Sequence, residues 1–194
     1  MRIEGSVSRS LTDQYTRQWR EQNPGGEVIT RDLASPALPL IDQSAIEAFF
    51  TASDRRTPTQ HAAVELSDKL VDEILAADTL LIGAPMYNWS VTSSLKSWID
   101  HVIRVGRTIA FGTDGPWPIG LLKDKRAIVV IARGGQYTEG EGQGFDFQTA
   151  YLKQILTFMG ITDIQWVATE GLTLGDDIAG PAVEESQRQI RGMI

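Results

Sequence analysis

Short, nearly continuous apolar runs alternate along this chain with longer stretches of 3.6-residue apolar periodicity. That alternation predicts an α/β fold: a doubly wound parallel sheet with helices on both faces. The most informative run is residues 78–84, Asp-Thr-Leu-Leu-Ile-Gly-Ala, whose lack of polar alternation is that of a strand covered on both sides. It leads through a polar and aromatic loop, residues 85–90, into an amphipathic helix. A strand feeding a helix through such a loop is where open α/β sheets bind ligands.

The elements follow in order. Residues 11–22 read as a helix with Ser8 or Ser10 as N-cap, ended by Pro24-Gly25-Gly26. Val28-Ile29, within residues 27–32, marks a short strand. Residues 58–77 carry an apolar stripe of Ala62, Leu66, Leu70, Ile74 and Leu75, and Pro58 suits the first helical position after Thr57. Residues 93–105 place Leu95, Trp98, Ile99, Val102 and Ile103 on one helical face. Residues 126–132, Arg-Ala-Ile-Val-Val-Ile-Ala, are the clearest strand, and residues 163–169 a further one. Residues 147–159 form a helix that Gly160 stops, and residues 182–194 a terminal helix. Residues 111–121, rich in Gly and Pro, read as a surface excursion. With no repeat, low-complexity tract or linker, residues 1–194 are expected to form one domain.

The first strand of such a domain is missing from this sequence. The chain enters its first helix within about ten residues, and Met-Arg-Ile-Glu-Gly is too short and polar for a strand. In the doubly wound order 2-1-3-4-5 the first strand lies inside the sheet. Its loss would unpair ladder groups on both neighbours. The expectation is that the native chain begins about ten residues earlier; the alternative is that strands 2 and 3 pair directly.

Composition narrows the function. Hydrophobic residues make up 42%, enough to pack a core. A net charge of −7 argues against nucleic-acid partners, which need clustered Lys and Arg. The absence of cysteine excludes disulfides, thiolate catalysis, Fe–S clusters and cysteine zinc sites. No apolar run approaches the roughly 20 residues that span a bilayer, and no signal peptide is visible. A soluble cytoplasmic protein with no membrane partner is the expectation.

Three segments carry chemistry. In Ser6-Val7-Ser8-Arg9-Ser10, hydroxyl and backbone donors at a helix N-terminus suit a phosphate on Ser6, Val7 and Ser8 with Arg9 near it, or plain capping. In Pro85-Met86-Tyr87-Asn88-Trp89, the Asn88 amide both donates and accepts, matching the alternating edge of an isoalloxazine ring, while Met86 and Trp89 can pack on its face; the alternative is a loop with two core aromatics. In Arg133-Gly134-Gly135-Gln136-Tyr137, after the clearest strand, paired glycines admit close backbone approach to a ligand or form an ordinary turn. Phosphate at the first and ring at the other two describes a flavin mononucleotide (FMN) site. There is no Walker loop, Gly-x-Gly-x-x-Gly or Gly-x-Ser-x-Gly. His61 and His101 lack metal-ligand spacing and read as structural or surface residues, and Glu139 and Glu141 as a solvated Gly-rich loop.

These residues also carry a family resemblance. Ala84-Pro85-Met86-Tyr87-Asn88-Trp89, Ser94-Leu95-Lys96, Trp98-Ile99-Asp100, Gly106-Arg107-Thr108, Gly115-Pro116, Gly120-Leu121, Arg133-Gly134-Gly135 and Gly160-Ile161-Thr162-Asp163 resemble the FMN-dependent NADH azoreductase and NADH:quinone oxidoreductase family. The resemblance implies a flavodoxin-like fold, bound FMN, NADH as co-substrate and a homodimer with active sites at the subunit interface. By position, Ser6, Val7 and Ser8 take the phosphate; Pro85, Met86, Tyr87, Asn88 and Trp89 meet the ring; Ala132, Arg133, Gly134 and Gly135 hold its polar edge. Asn88 and Phe111 line the substrate pocket, Phe111 from the partner subunit. Three positions depart from the pattern: Trp89 for the usual Phe, Thr92 for a common Pro, and Ala132 for a frequent Ser. The implied reaction is NADH-driven reduction of quinones and azo compounds by ping-pong hydride transfer, with no catalytic side chain because the flavin carries the chemistry. Two rival readings are an electron-transfer flavodoxin without an NADH site and a non-enzymatic module with an impaired FMN site.

Overall fold

The computed structural model describes residues 4–112, 115 and 117–193. Its elements are α1 (Val7–Gln22), α2 (Gln43–Phe49), α3 (Pro58–Ala76), β1 (Thr79–Pro85), α4 (Ser93–Val102), β2 (Ile109–Phe111), β3 (Pro118–Gly120), β4 (Arg126–Ala132), α5 (Phe147–Met159), β5 (Asp163–Thr169) and α6 (Asp176–Arg191). Short 3-10 segments lie at Ser53–Arg55 and Gly140–Phe145.

Strands β1, β4 and β5 form a parallel sheet in the order β1-β4-β5. The central strand β4 is buried at every residue after Arg126, which is why its sequence is continuously apolar. Alternate side chains leave it in opposite directions. Ile128 and Val130 pack with Leu11 and Tyr15 of α1, Val167 of β5 and Ile190 of α6. Ala127, Val129 and Ile131 join Leu80, Ile82 and Ala84 of β1 and the apolar stripes of α3, α4 and α5. The sheet is thus covered by helices on both faces.

Several helix ends follow local chemistry. Thr57 and Gln60 close a capping box on α3 with Pro58 in its first turn. Gly160, at φ 105°, ends α5 in the left-handed region. Thr108 stops α4 at Val102, earlier than the expected 105: its hydroxyl donates to the Val102 carbonyl at 2.6 Å and accepts from the Arg104 N–H at 2.9 Å. Two starts also differ. The N-cap of α1 is Ser6, not Ser8 or Ser10. Helix α6 begins at Asp176 rather than at 182, with Pro181 inside it, where the ring forgoes one ladder bond. Helix α2 was not anticipated.

The expected strand at residues 27–32 does not form, and it makes no ladder with β1, so direct pairing of strands 2 and 3 does not occur. Among the described residues no strand precedes α1, and β1 has a hydrogen-bonded neighbour on one side alone. An extended segment without a paired neighbour has nowhere to place its backbone bonds except water, and Ile29 is accordingly exposed. Among the described residues no helix is long and apolar enough to cross a membrane.

Around the Gly- and Pro-rich excursion, part of which lies outside the described residues, β2 pairs with β3 antiparallel. This hairpin is anchored at the amino end of the sheet, where Leu122 N–H bonds the Met159 carbonyl at 2.9 Å and Gly120 lies against Met159 and Gly160. A Cβ on Gly120 would stand 2.1 Å from Gly160 N. Gly120→Ala should therefore lower the urea midpoint at unchanged slope, a cost of about 1–3 kcal/mol.

Candidate active site

The in-register ladder sets Pro85, Ala132 and Thr169 side by side, so the chain leaves the three strands at one edge. The loops after them meet there. The first turn of α1 approaches the same edge, because Gly83 has no side chain: a Cβ there would lie 3.3 Å from Thr12 Cγ2 and 3.7 Å from the Ser8 carbonyl.

After β1, Met86 N–H bonds the Ala132 carbonyl at 2.9 Å and ties the loop to β4. Tyr87 and Ser90 then exchange backbone bonds of 3.0 and 3.1 Å around Asn88 and Trp89. Both central residues have positive φ, 47° and 67°, as a type I′ turn requires. Asparagine tolerates that region; for a tryptophan it costs about 1–2 kcal/mol. The strained turn exposes Asn88 and Trp89, and the Trp89 ring rests 5.0 Å from that of Phe145, tilted by 34°. The Asn88 amide makes no hydrogen bond among the described residues.

After β4, the Arg133, Gly134 and Gly135 carbonyls accept from Leu172 (3.1 Å), Thr173 (3.0 Å) and Gly171 (2.9 Å) in the loop after β5. The Gly134 and Gly135 N–H groups are left without a partner among the described residues. Both glycines are packed from one side, Gly134 by Thr173 and Gly135 by the Tyr137 ring. The Arg133 side chain, by contrast, turns inward and is 1% exposed. Its Nε donates to Gln148 Oε1 at 3.2 Å, Nη1 to Glu170 at 2.8 Å, and Nη2 to both Asp146 oxygens at 2.9 and 3.0 Å. The Tyr137 ring lies 5.7 Å from Cζ. Gln148 in turn donates to the Ala84 carbonyl at 2.9 Å. The guanidinium therefore serves the scaffold, and what Arg133 offers a ring is the position of its neighbours.

Two carboxylates are tuned by this network. Burial pushes Asp146 upward, but Thr149 and Arg133 outweigh it and hold the carboxyl below its ordinary value. Burial likewise pushes Glu170 up, and bonds from Arg133, Thr138 and Tyr137 bring it below the usual range.

At α1, Ser6 Oγ accepts from Arg9 N–H at 3.5 Å and lies 3.4 Å from the buried Ser8 Oγ. The N–H groups of the first turn have no intrahelical acceptor. Arg9 leaves this edge to pair with Asp32 at 2.6 Å. Phe111 does not join the site within one chain: it is 64% exposed on the hairpin, about 7 Å along the ladder from the Gly120 anchor, whereas β4 is about 20 Å long. His101 is buried with Nε2 3.0 Å from the Pro39 carbonyl, and His61 is exposed; both lie away from the loops. A concavity of about 830 Å³ is lined by Glu73, Asp68 and Asp72, paired with Arg31, Arg104 and Arg107, together with Glu65, His61 and Lys69, and lies along α3 rather than among these loops.

The sequence reading missed Asp146, Gln148 and Glu170, and the stacking of Phe145. Glu170 carried one usable signal: it follows the end of a strand, as Arg133 does.

A family model described as the flavodoxin-like fold matches residues 1–194, and the chain belongs to that family. It is 41% identical over 194 residues to an FMN-dependent NADH:quinone oxidoreductase of Herminiimonas arsenicoxydans, covering 100% of this chain and 94% of the relative. An azoreductase from Bacillus anthracis str. Sterne superposes with a TM-score of 0.90 at 27% identity, covering 100% of this chain and 93% of that one. An FMN-dependent NADH-azoreductase from Bacillus anthracis str. Ames Ancestor, solved with FMN, gives a TM-score of 0.82 at 25% identity over 97% and 91% of the two chains.

Two outcomes follow from this geometry. Trp89→Gly should leave stability within about 1 kcal/mol of wild type, because relief of the left-handed tryptophan offsets the lost ring contact. Chemical denaturation measures it. The Asp146 carboxylate, with its folded pKa depressed, contributes stability above its unfolded value of 3.8 that is lost as pH falls through the folded value. The melting-temperature advantage of wild type over Asp146→Asn should therefore be larger at about pH 7 than at about pH 3.

Proposed function

We propose that the chain is an FMN-dependent NADH:quinone oxidoreductase that also reduces azo compounds. The observation that carries this reading is the set of unspent polar groups on one sheet edge: the Asn88 amide beside the Gly134 and Gly135 N–H groups, with the α1 turn at the same edge. These groups fit the cofactor. The Ser6, Val7 and Ser8 turn suits its phosphate. Pro85, Met86, Tyr87, Asn88 and Trp89 offer the ring a polar edge and two aromatic faces. Ala132, Arg133, Gly134 and Gly135 bring two donors to its other edge. When bound, FMN would supply the two-electron chemistry that links NADH oxidation to reduction of a quinone or azo acceptor in ping-pong order. The protein's part is to orient the ring, to present N–H donors where negative charge develops, and to shape the acceptor pocket.

The 64% exposed Phe111 lies too far from its own site to line it, which supports a homodimer in which the partner's hairpin completes the pocket. The reading is of one cytoplasmic flavodoxin-like domain over residues 1–194, with no membrane or nucleic-acid partner.

Purified chain should carry flavin absorbance and oxidise NADH with menadione; a chain that binds no flavin overturns the reading, and one that binds it without oxidising NADH makes it an electron-transfer flavodoxin. Asn88→Ala should weaken FMN about 3–10-fold, the worth of one hydrogen bond, in a fluorescence-quenching titration.

A further inference from the structure

The loop after β4 is staked from three directions, and Glu170 supplies one of them. Its Oε1 accepts from Arg133 Nη1 at 2.8 Å and from Tyr137 N–H at 3.1 Å, and its Oε2 accepts from Thr138 N–H at 3.2 Å. The loop carbonyls are held by residues 171–173, and the Arg133 side chain by Asp146, Gln148 and Thr149. Glu170 thus fixes both the start and the end of the segment that displays the Gly134 and Gly135 N–H groups. It touches neither donor itself.

Its charge is of the wrong sign to assist directly. One cation, Arg133, stands against two anions, Asp146 and Glu170. A net negative cluster behind a ring edge opposes the negative charge that the ring gains on reduction. The aligned donors do the reverse: hydrogen bonds to a charged acceptor are roughly twice as strong as to a neutral one.

We propose that Glu170 is a positioning residue that biases the site toward the reduced form of FMN by holding the Gly134 and Gly135 N–H groups in place, an effect that outweighs its own charge. The proposal rests on the FMN reading above. It makes Glu170 a determinant of the cofactor's potential, and hence of which acceptors the enzyme reduces.

The two roles of Glu170 predict opposite signs. Glu170→Gln replaces one carboxylate oxygen with an NH2 group that cannot accept, so either the Thr138 bond or the Arg133 and Tyr137 bonds are lost, the loop loosens and the donors lose alignment. The reduced form should then lose about tenfold more affinity than the oxidised form, which moves the two-electron midpoint potential about 30 mV more negative. Removal of the negative charge alone moves it positive. Glu170→Asp keeps the charge but withdraws the carboxylate by one methylene, so it should also shift the potential negative, and it carries the test should the glutamine variant fold poorly.

The potential of bound FMN is measured by dye equilibration in wild type and both variants, and amide hydrogen exchange of residues 133–138 is followed by mass spectrometry. A negative shift with faster exchange supports the proposal. A positive shift for Glu170→Gln with none for Glu170→Asp makes Glu170 an electrostatic residue and overturns it; faster exchange at unchanged potential makes it structural only and does the same. A wild-type chain that takes up no FMN overturns the underlying reading as well, and is seen before any variant is made.

Discussion

A buried guanidinium holds this site together. Arg133 lies one residue beyond the most buried strand and is shut from solvent, so its charge and donors must be answered by the protein. The partners come from around the edge: Asp146 and Gln148 at the start of α5, Glu170 beyond β5 and, through Gln148, the Ala84 carbonyl of β1. Removing one partner of such a buried pair typically costs about 3–5 kcal/mol, because the remaining charge is stranded. One residue thereby couples the carboxyl ends of all three strands.

The same network explains what the edge has left to offer. The loop's carbonyls and the Arg133 donors are satisfied inside the protein, while the Gly134 and Gly135 N–H groups and the Asn88 amide are not. A site poor in acceptors and rich in backbone donors suits a ring edge that acquires negative charge. The strain in the Asn88–Trp89 turn belongs to the same arrangement. A left-handed tryptophan is costly, and strain of this kind persists where the surroundings over-determine it. Here the Met86 bond to β4, the Tyr87–Ser90 pair and the Phe145 ring do so.

At the opposite end of the sheet a second buried cation plays a matching structural part. Arg104 donates to Ser67 at 2.5 Å, pairs with Asp68 at 3.0 Å and lies 4.1 Å from the centre of the Phe49 ring. Desolvation lowers its pKa while Asp68 opposes the fall. The contacts fasten α2, α3 and α4 together where the hairpin departs. That fastening, with Gly120 pressed against the end of α5, keeps Phe111 away from its own chain's loops.

The order of β1, β4 and β5 with α1, α3, α4, α5 and α6 was legible in the sequence, because buried strands such as 126–132 cannot conceal their apolar runs and α5 announces its end with Gly160; α2 and the β2–β3 pair were not. The place of two loops was legible too, since Asn88 and the paired glycines stand immediately after such strands. The strand at 27–32 was misread because two apolar residues do not make a strand without a neighbour to pair with. The inward course of Arg133 and its dependence on Asp146, Gln148 and Glu170 were not legible either. Those residues lie 13 to 37 positions away along the chain, and a hydrogen bond is decided by where donor and acceptor meet in space. Periodicity along the sequence determines which faces are apolar and where loops fall; which polar groups in those loops are consumed and which stay free is settled only when β1, β4 and β5 align in register.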